Sequence, residues 1–254
     1  MLQRGKYTGD WYVVIDDEDD QADIYYAKFG EHVIMFNKKE EAERTDTGDT
    51  DNDRRVGVFA RNAIQRIAAE RGYKYHLQLD DDFRRLKYKT IEGGKLKGYE
   101  VKHIDDVLFA LANFLAETQI TNLSFGLLSD YMGGASSSKY AAQLTPKCMG
   151  SFMLKADDEI KFRMRMNDDI TTTVMYEAIG KLMYTVMYIL VDTCATQSQK
   201  GGMTEAYKDN GTYRKSFYSV MCCPSFVKIA KQGVKYYRIH HNILWGNCNP
   251  KLIS

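Results

Sequence analysis

Residues 61–82, RNAIQRIAAERGYKYHLQLDDD, switch hydrophobic period halfway along, and few folds accommodate that switch. Ala63, Ile64, Ile67 and Ala68 recur at one-turn spacing, which predicts a short helix with one apolar face, and Gly72 stands just past its expected end. From Tyr75 to Leu79 the period falls to two. Tyr75, Leu77 and Leu79 take one side and His76 and Gln78 the other, so a strand follows the helix. That strand runs into Asp80, Asp81 and Asp82. In an extended chain Asp80 and Asp82 share a face and Asp81 takes the opposite one. Acids at the C-terminal end of a strand stand where open α/β sheets hold ligands. One or two carboxylates suffice for a hard divalent cation whose other ligands are substrate phosphates. A solvated acidic turn is the competing reading of a bare triplet, and the helix and strand before it weigh against that.

Length and composition bound the rest. A chain of 254 residues, 44% apolar with three prolines, can bury one substantial core, which points to a single α/β domain rather than disorder. Lys and Arg (35) nearly balance Asp and Glu (34), so any basic surface must be local. Five cysteines without paired spacing suggest free thiols in a reducing compartment. The opening MLQRGKYTGD has no apolar leader core, and the longest apolar run, near 182–191, is too short for a bilayer. The expectation is a soluble, cytoplasmic protein with no membrane partner.

Along the chain, residues 11–15 (WYVVI) predict a strand buried on both faces, ending in the acidic block 16–20. Residues 24–29 and 33–36 are short apolar segments, and 45–55 (TDTGDTDNDRR) read as a mobile loop. Asp49, Asp51 and Asp53 open like a calcium loop, but Arg54 and Ala60 occupy positions that such a loop gives to Gly and Glu, which excludes it. Arg61 carries a fork suited to diphosphate, with a surface ion pair as the plainer alternative. Residues 83–101 predict a hairpin turning at Glu92, Gly93 and Gly94. Arg84, Arg85, Lys87 and Lys89 on it make the best candidate contact to DNA phosphates in the chain, with Tyr88 or Tyr99 placed to stack on a base; a solvated basic hairpin is the rival reading. Residues 101–117 predict a core-facing helix, 123–128 a strand, and 130–139 a flexible loop.

The alternation of Ile160, Phe162, Met164 and Met166 with Lys161, Arg163 and Arg165 predicts another strand, and apolar spacing over 170–193 predicts a long buried helix. Asp168 and Asp169 fall between the two. There they can cap the helix, or one can cap while the other removes a proton from an acceptor hydroxyl. Gly201 and Gly202 allow backbone amides to approach a sugar or phosphate. A zinc site from Cys222, Cys223, His240 and His241 is disfavoured, because adjacent ligands strain a tetrahedral shell.

Arg61 and Asn62 opening a helix ahead of a strand that ends in Asp80, Asp81 and Asp82 resemble the donor-binding half of GT-A glycosyltransferases. With GGM at 201–203, KSFYSVM at 215–221 and RIHHNILW at 238–245, the chain is similar to the phage-type group associated with modified DNA bases, the 5-hydroxymethylpyrimidine DNA glycosyltransferases of TET/JBP-associated type. The resemblance covers residues 11–253. It implies a GT-A, Rossmann-like mixed sheet flanked by helices, with residues 11–100 binding nucleotide-sugar and 101–254 binding acceptor. It implies Mn2+ or Mg2+ held by Asp82, with Asp80 on the ribose or the metal. A C-terminal imidazole completes the shell, and of His240 and His241, on opposite faces of a strand, only one can do so. Asp16 or Asp17 would border the base, Asp81 would line the donor site, and Arg61 and Lys215 would attend the diphosphate. The implied donor is a UDP-sugar and the acceptor a hydroxymethylated pyrimidine in DNA, attacked with inversion and with Asp168, rather than Asp169, as base. The alternatives are a glycosyltransferase acting on protein or small molecules, and a nucleotide-sugar-binding module without turnover.

Overall fold

The computed structural model describes residues 1–193, 213–233 and 237–250. In chain order, β1 (Val13–Asp16), α1 (Ala22–Phe29), β2 (Val33–Phe36) and α2 (Lys38–Arg44) precede the long α3 (Val58–Glu70). β3 (Tyr75–Leu79), β4 (Phe83–Glu92), β5 (Lys95–Glu100), α4 (Ile104–Glu117) and β6 (Ile120–Gly126) follow. After α5 (Ser138–Ala142), β7 (Leu144–Thr145) and β8 (Ser151–Lys155) come α6 (Asp168–Ala178) and β9 (Leu182–Thr193). α7 (Arg214–Cys222), β10 (Val227–Gln232), β11 (Arg238–Ile243) and α8 (Trp245–Cys248) close the described chain.

The central sheet runs β3-β8-β6-β9-β4-β5, with β7 added on β9. β6 and β9 are parallel and the other pairs antiparallel. Alternation along its strands sends Leu123, Phe125 and Met153 to one face, where they meet α4 through Ile104, Val107, Leu111 and Leu115. Phe152, Leu154 and Met183 go to the other, against Val58, Phe59 and Ala63 of α3. The result is a mixed α/β layering of helices on both faces of one sheet, a Rossmann-like layout of the kind the sequence predicts. Gly93 and Gly94, both at positive φ, turn the β4–β5 hairpin.

Five expectations need correction, four of them as follows. β1 is only partly buried, and it pairs in parallel with β2 in a separate two-stranded sheet rather than entering the central one. α3 begins at Val58, a turn before the periodic residues, so Arg61 is inside the helix. The loop at 45–55 is pinned: the Arg165 side chain, buried instead of outward, grips Asp49 through both carboxylate oxygens and reaches the Asp51 and Asp53 carbonyls. The buried helix expected over 170–193 stops at Ala178. Gly180, at φ +92°, reverses the chain into β9, where β-branched and alternating residues take over.

Residues 160–164 keep their alternation of burial, which the buried Arg165 breaks, and 160–166 form no strand. Over 161–163 side chains replace the ladder, while the Met164 and Arg165 amides donate to the Asp46 and Thr47 carbonyls. Asn62 Oδ1 accepts from the Phe162 amide at 2.8 Å while its Nδ2 donates to the Phe162 carbonyl at 3.0 Å, and the Lys161 and Arg163 amides donate to Tyr176 and Thr172 hydroxyls. Asn62→Ala therefore strips partners from two backbone groups at once. It is expected to lower stability by about 2–4 kcal/mol, read from the midpoint of urea unfolding at unchanged m-value.

Candidate functional site

Period-two geometry explains the centre of the site. Gln78 lies on the β3 face turned toward α3 and donates to the Arg61 carbonyl at 3.1 Å, pinning helix to strand. Asp80, two residues on, shares that face. The Asp80 amide still continues the sheet by donating to the Gly150 carbonyl at 3.1 Å, and residues 81–82 then turn into β4. Arg61 sits one helical turn before Gln65, which is buried against the end of β8 and donates to the carbonyl of Asp158 at 2.7 Å. The same face carries the guanidinium over the rings of Phe152 and Phe162, at 5.1 and 5.6 Å.

From there Arg61 bridges two acids. Its Nη2 donates to Asp80 Oδ1 at 2.9 Å and its Nε to Asp168 Oδ2 at 2.8 Å. The arginine is 12% exposed and Asp168 17%, whereas Asp80 keeps 42% of its side chain accessible. Protein surrounds Asp80 on most sides while one side stays open, as at the floor of a cleft. Burial pushes the Asp80 carboxyl up; Arg61 pulls it down, and Asp169 and Asp82 add to the rise. Asp168 is raised to about 6 by burial, against Arg61 and with help from Asp169 and Asp80. Asp82 is also raised, by burial and by Asp81. Gly150, at φ +69°, leaves room for this group, because a Cβ there would lie 3.1 Å from Asp80 Oδ2 and 3.2 Å from the Phe83 ring.

Asp168 and Asp169 open α6. Asp169 Oδ1 accepts from the Ile170 amide at 2.7 Å, a local bond at the helix start. Asn167 precedes them at φ +56°, a left-handed conformation that asparagine tolerates better than most residues. Its Nδ2 faces the Lys215 carbonyl, Ser219 Oγ and His241 Nδ1, each at 3.1 Å. This one side chain joins the start of α6 to α7 and β11. The His241 ring is tied to this junction through its Nδ1. Burial, His240, Lys215 and Lys147 hold His241 down near 4, and His240 is lowered by burial and by the same cations with Arg238. Burial lowers Lys215, while Asp169 opposes that fall.

Other sequence candidates lie outside this core. Asp16 is bound to Lys38 Nζ at 3.2 Å and Asp17 accepts from the Lys38 amide at 2.9 Å, so both fasten β1 to the start of α2. The acidic loop nevertheless approaches the triplet, since the Tyr25 phenol is raised by burial and then by Asp19 and Asp81 together. On the β4–β5 hairpin, Arg85 and Lys87 share Asp192 at 3.0 and 3.1 Å, Lys89 lies over the Tyr131 ring, and Arg84 acts on Asp82. Gly201 and Gly202 fall outside the described residues. Asn167 and Lys147 escaped sequence reasoning. Asn167 had a signal in the Asn-Asp-Asp string, because asparagine before an acidic helix start is a common left-handed entry. Lys147, paired with Asp130 at 2.9 Å, had none.

Among the described residues no three or more His, Cys, Asp or Glu side chains converge as a ready metal cage. Asp80, whose carboxyl Asp82 helps to raise, and Asp82 itself are hard oxygen donors. They fit a divalent cation that completes its shell with phosphate oxygens.

Helices on both faces of a mixed sheet, with acids at a strand end and a helix start meeting over one arginine, make up the architecture of a ligand-transforming α/β enzyme. The model of one protein family, TET-Associated Glycosyltransferase, matches residues 1–202, a span that contains the whole Arg61, Asp80 and Asp168 cluster. The chain belongs to that family and is a glycosyltransferase, in a role associated with modified bases. No curated protein and no solved structure matches it. Among the described residues no helix is long and apolar enough to cross a membrane.

Removing the arginine would leave a buried carboxylate without its counter-charge. Arg61→Met is expected to cost about 3 kcal/mol of stability, the low end for a broken buried pair because Asp80 stays open to water. Urea unfolding beside Arg61→Lys, which keeps the charge and loses the two-way fork, checks this.

Proposed function

We propose that the enzyme transfers a sugar from a UDP-sugar to the hydroxyl of a 5-hydroxymethylpyrimidine in DNA, with inversion and with a divalent cation at the donor. The observation that carries this reading is the Arg61 bridge. It holds an acid at the end of β3 and an acid at the start of α6 on two sides of one guanidinium. A transferase needs such an arrangement: one acid for the donor's diphosphate side and one for the attacking hydroxyl.

In this reading Asp82 and Asp80 hold Mn2+ or Mg2+, with His240 or His241 as the imidazole available to the shell. The bound cation supplies a Lewis acid to the departing diphosphate. Arg61 and Lys215 bring positive charge to the nucleotide, and the acidic loop beside Tyr25 borders the donor. Asp168 accepts the proton from the acceptor hydroxyl. Burial supports that choice, since a carboxyl raised to about 6 is a stronger base than an ordinary one. Asp169, bonded to the first-turn amide of Ile170, serves the helix start instead.

The decisive experiment offers a radiolabelled UDP-sugar with hydroxymethylated DNA, unmodified DNA or protein as acceptor. Label is expected on the first alone, and label on protein instead would overturn the acceptor assignment. Chelation with EDTA is expected to abolish transfer, with recovery on adding Mn2+, and Asp82→Ala should lose that recovery. Asp168 must be deprotonated to act, so kcat/KM should rise with pH and level off above about 6. Asp168→Asn should lower kcat by about 100- to 10,000-fold and remove that limb; a variant that keeps both would exclude Asp168 as base.

A further inference from the structure

Charge is distributed unevenly along this nearly neutral chain. Residues 210–254 hold seven of its 35 Lys and Arg and none of its 34 Asp and Glu, so the preceding residues are net negative. All of this acid-free stretch lies beyond the family match, which ends at 202. The fold does not set it apart from the site. Asn167 ties α7 and β11 to the start of α6, and Lys215 acts on both Asp169 and the two histidines.

The two basic hairpins differ in what their cations do. On β4–β5, Arg85 and Lys87 are neutralised by Asp192 and Lys97 by Glu92. On β10–β11, Lys228, Lys231 and Arg238 are exposed and form no ion pair among the described residues. Lys231 lies over the ring of Tyr237, and Arg238 donates to the Gln232 amide oxygen. Arg214, by contrast, is paired with Asp51 at 3.6 Å. Aromatic surface accompanies the unpaired cations: Tyr237 is 60% exposed, and Tyr213 and Phe217 on α7 are about half exposed and packed edge to face. Unneutralised cations interleaved with exposed rings match a polyanion whose flat groups are unstacked, which describes single-stranded nucleic acid.

We propose that the β10–β11 hairpin, with Lys228 and Arg238 on one face of the ribbon and Lys231 beside Tyr237 on the other, is the docking surface around which the phosphodiester backbone of a single-stranded or locally opened acceptor DNA strand passes. It rests on the DNA acceptor of the proposed function and moves the main contact from the β4–β5 hairpin to the C-terminal one. The Asn167 junction then sets the distance from docked backbone to the acids at the start of α6.

The test is fluorescence anisotropy with a labelled single-stranded oligonucleotide, titrated over a range of NaCl concentrations. The variants are Lys228→Ala/Lys231→Ala/Arg238→Ala and Arg85→Gln/Lys87→Gln, each checked for an unchanged melting profile. Losing three phosphate contacts should flatten the log–log salt slope by about 2 and weaken binding roughly 10- to 100-fold at low salt. The Arg85 and Lys87 pair should change the slope by less than about 1. Lys228→Arg/Lys231→Arg should bind like the wild type, which separates charge from shape. Wild-type binding with an unaltered slope in the triple variant would overturn the surface and leave the acceptor reading intact. Absence of wild-type binding, or binding only to phosphatidylglycerol vesicles, would overturn both.

Discussion

The site depends on a cation that cannot be released. Arg61 lies on aromatic rings, its helix is pinned to β3 by Gln78, and its fork is divided between Asp80 and Asp168. Two acids from distant parts of the chain would repel each other in this partly dry place. With the guanidinium between them, they hold each other's position instead. Geometry and electrostatics are therefore one problem here: whatever fixes the arginine also fixes the ionisation of Asp168.

Much of this was legible in the sequence because it follows from local period. The helix, the Gly72 stop, the strand and the facing of His76 and Gln78 all come from a repeat of 3.6 giving way to a repeat of two, and so does the position of Asp80. Legibility ended where backbone partners are side chains. Ile160 to Met166 alternate like a strand, but alternation reports only which side is buried, and Asn62, Tyr176 and Thr172 supply the hydrogen bonds that a neighbouring strand would have given. The outward place assigned to Arg165 failed for a related reason, because the Asp49 carboxylate and the backbone carbonyls of Asp51 and Asp53, over a hundred residues earlier, turn it inward.

Function was legible to a similar depth. The triplet and the Asp-Asp pair could be singled out from their positions at a strand end and a helix start, but nothing local says that one arginine joins them. The joining residue Asn167 was invisible as a role, since its work depends on a left-handed backbone and on elements some fifty and seventy residues away. Nor does sequence reveal which basic residues are neutralised. Arg85 and Lys87 look available until Asp192 arrives from another strand.

Gly180, at φ +92°, turns the chain back between α6 and β9. A continuous helix over 170–193 would set its ends about 35 Å apart. Instead the chain doubles back, and Thr193 finishes beside Phe83, the residue that follows the acidic triplet. Asp168, at the beginning of the same segment, is joined through Arg61 to Asp80. One glycine thus folds a length of polypeptide so that both its origin and its terminus lie beside the acidic triplet, and any lengthening of that turn would shift the two relative to each other.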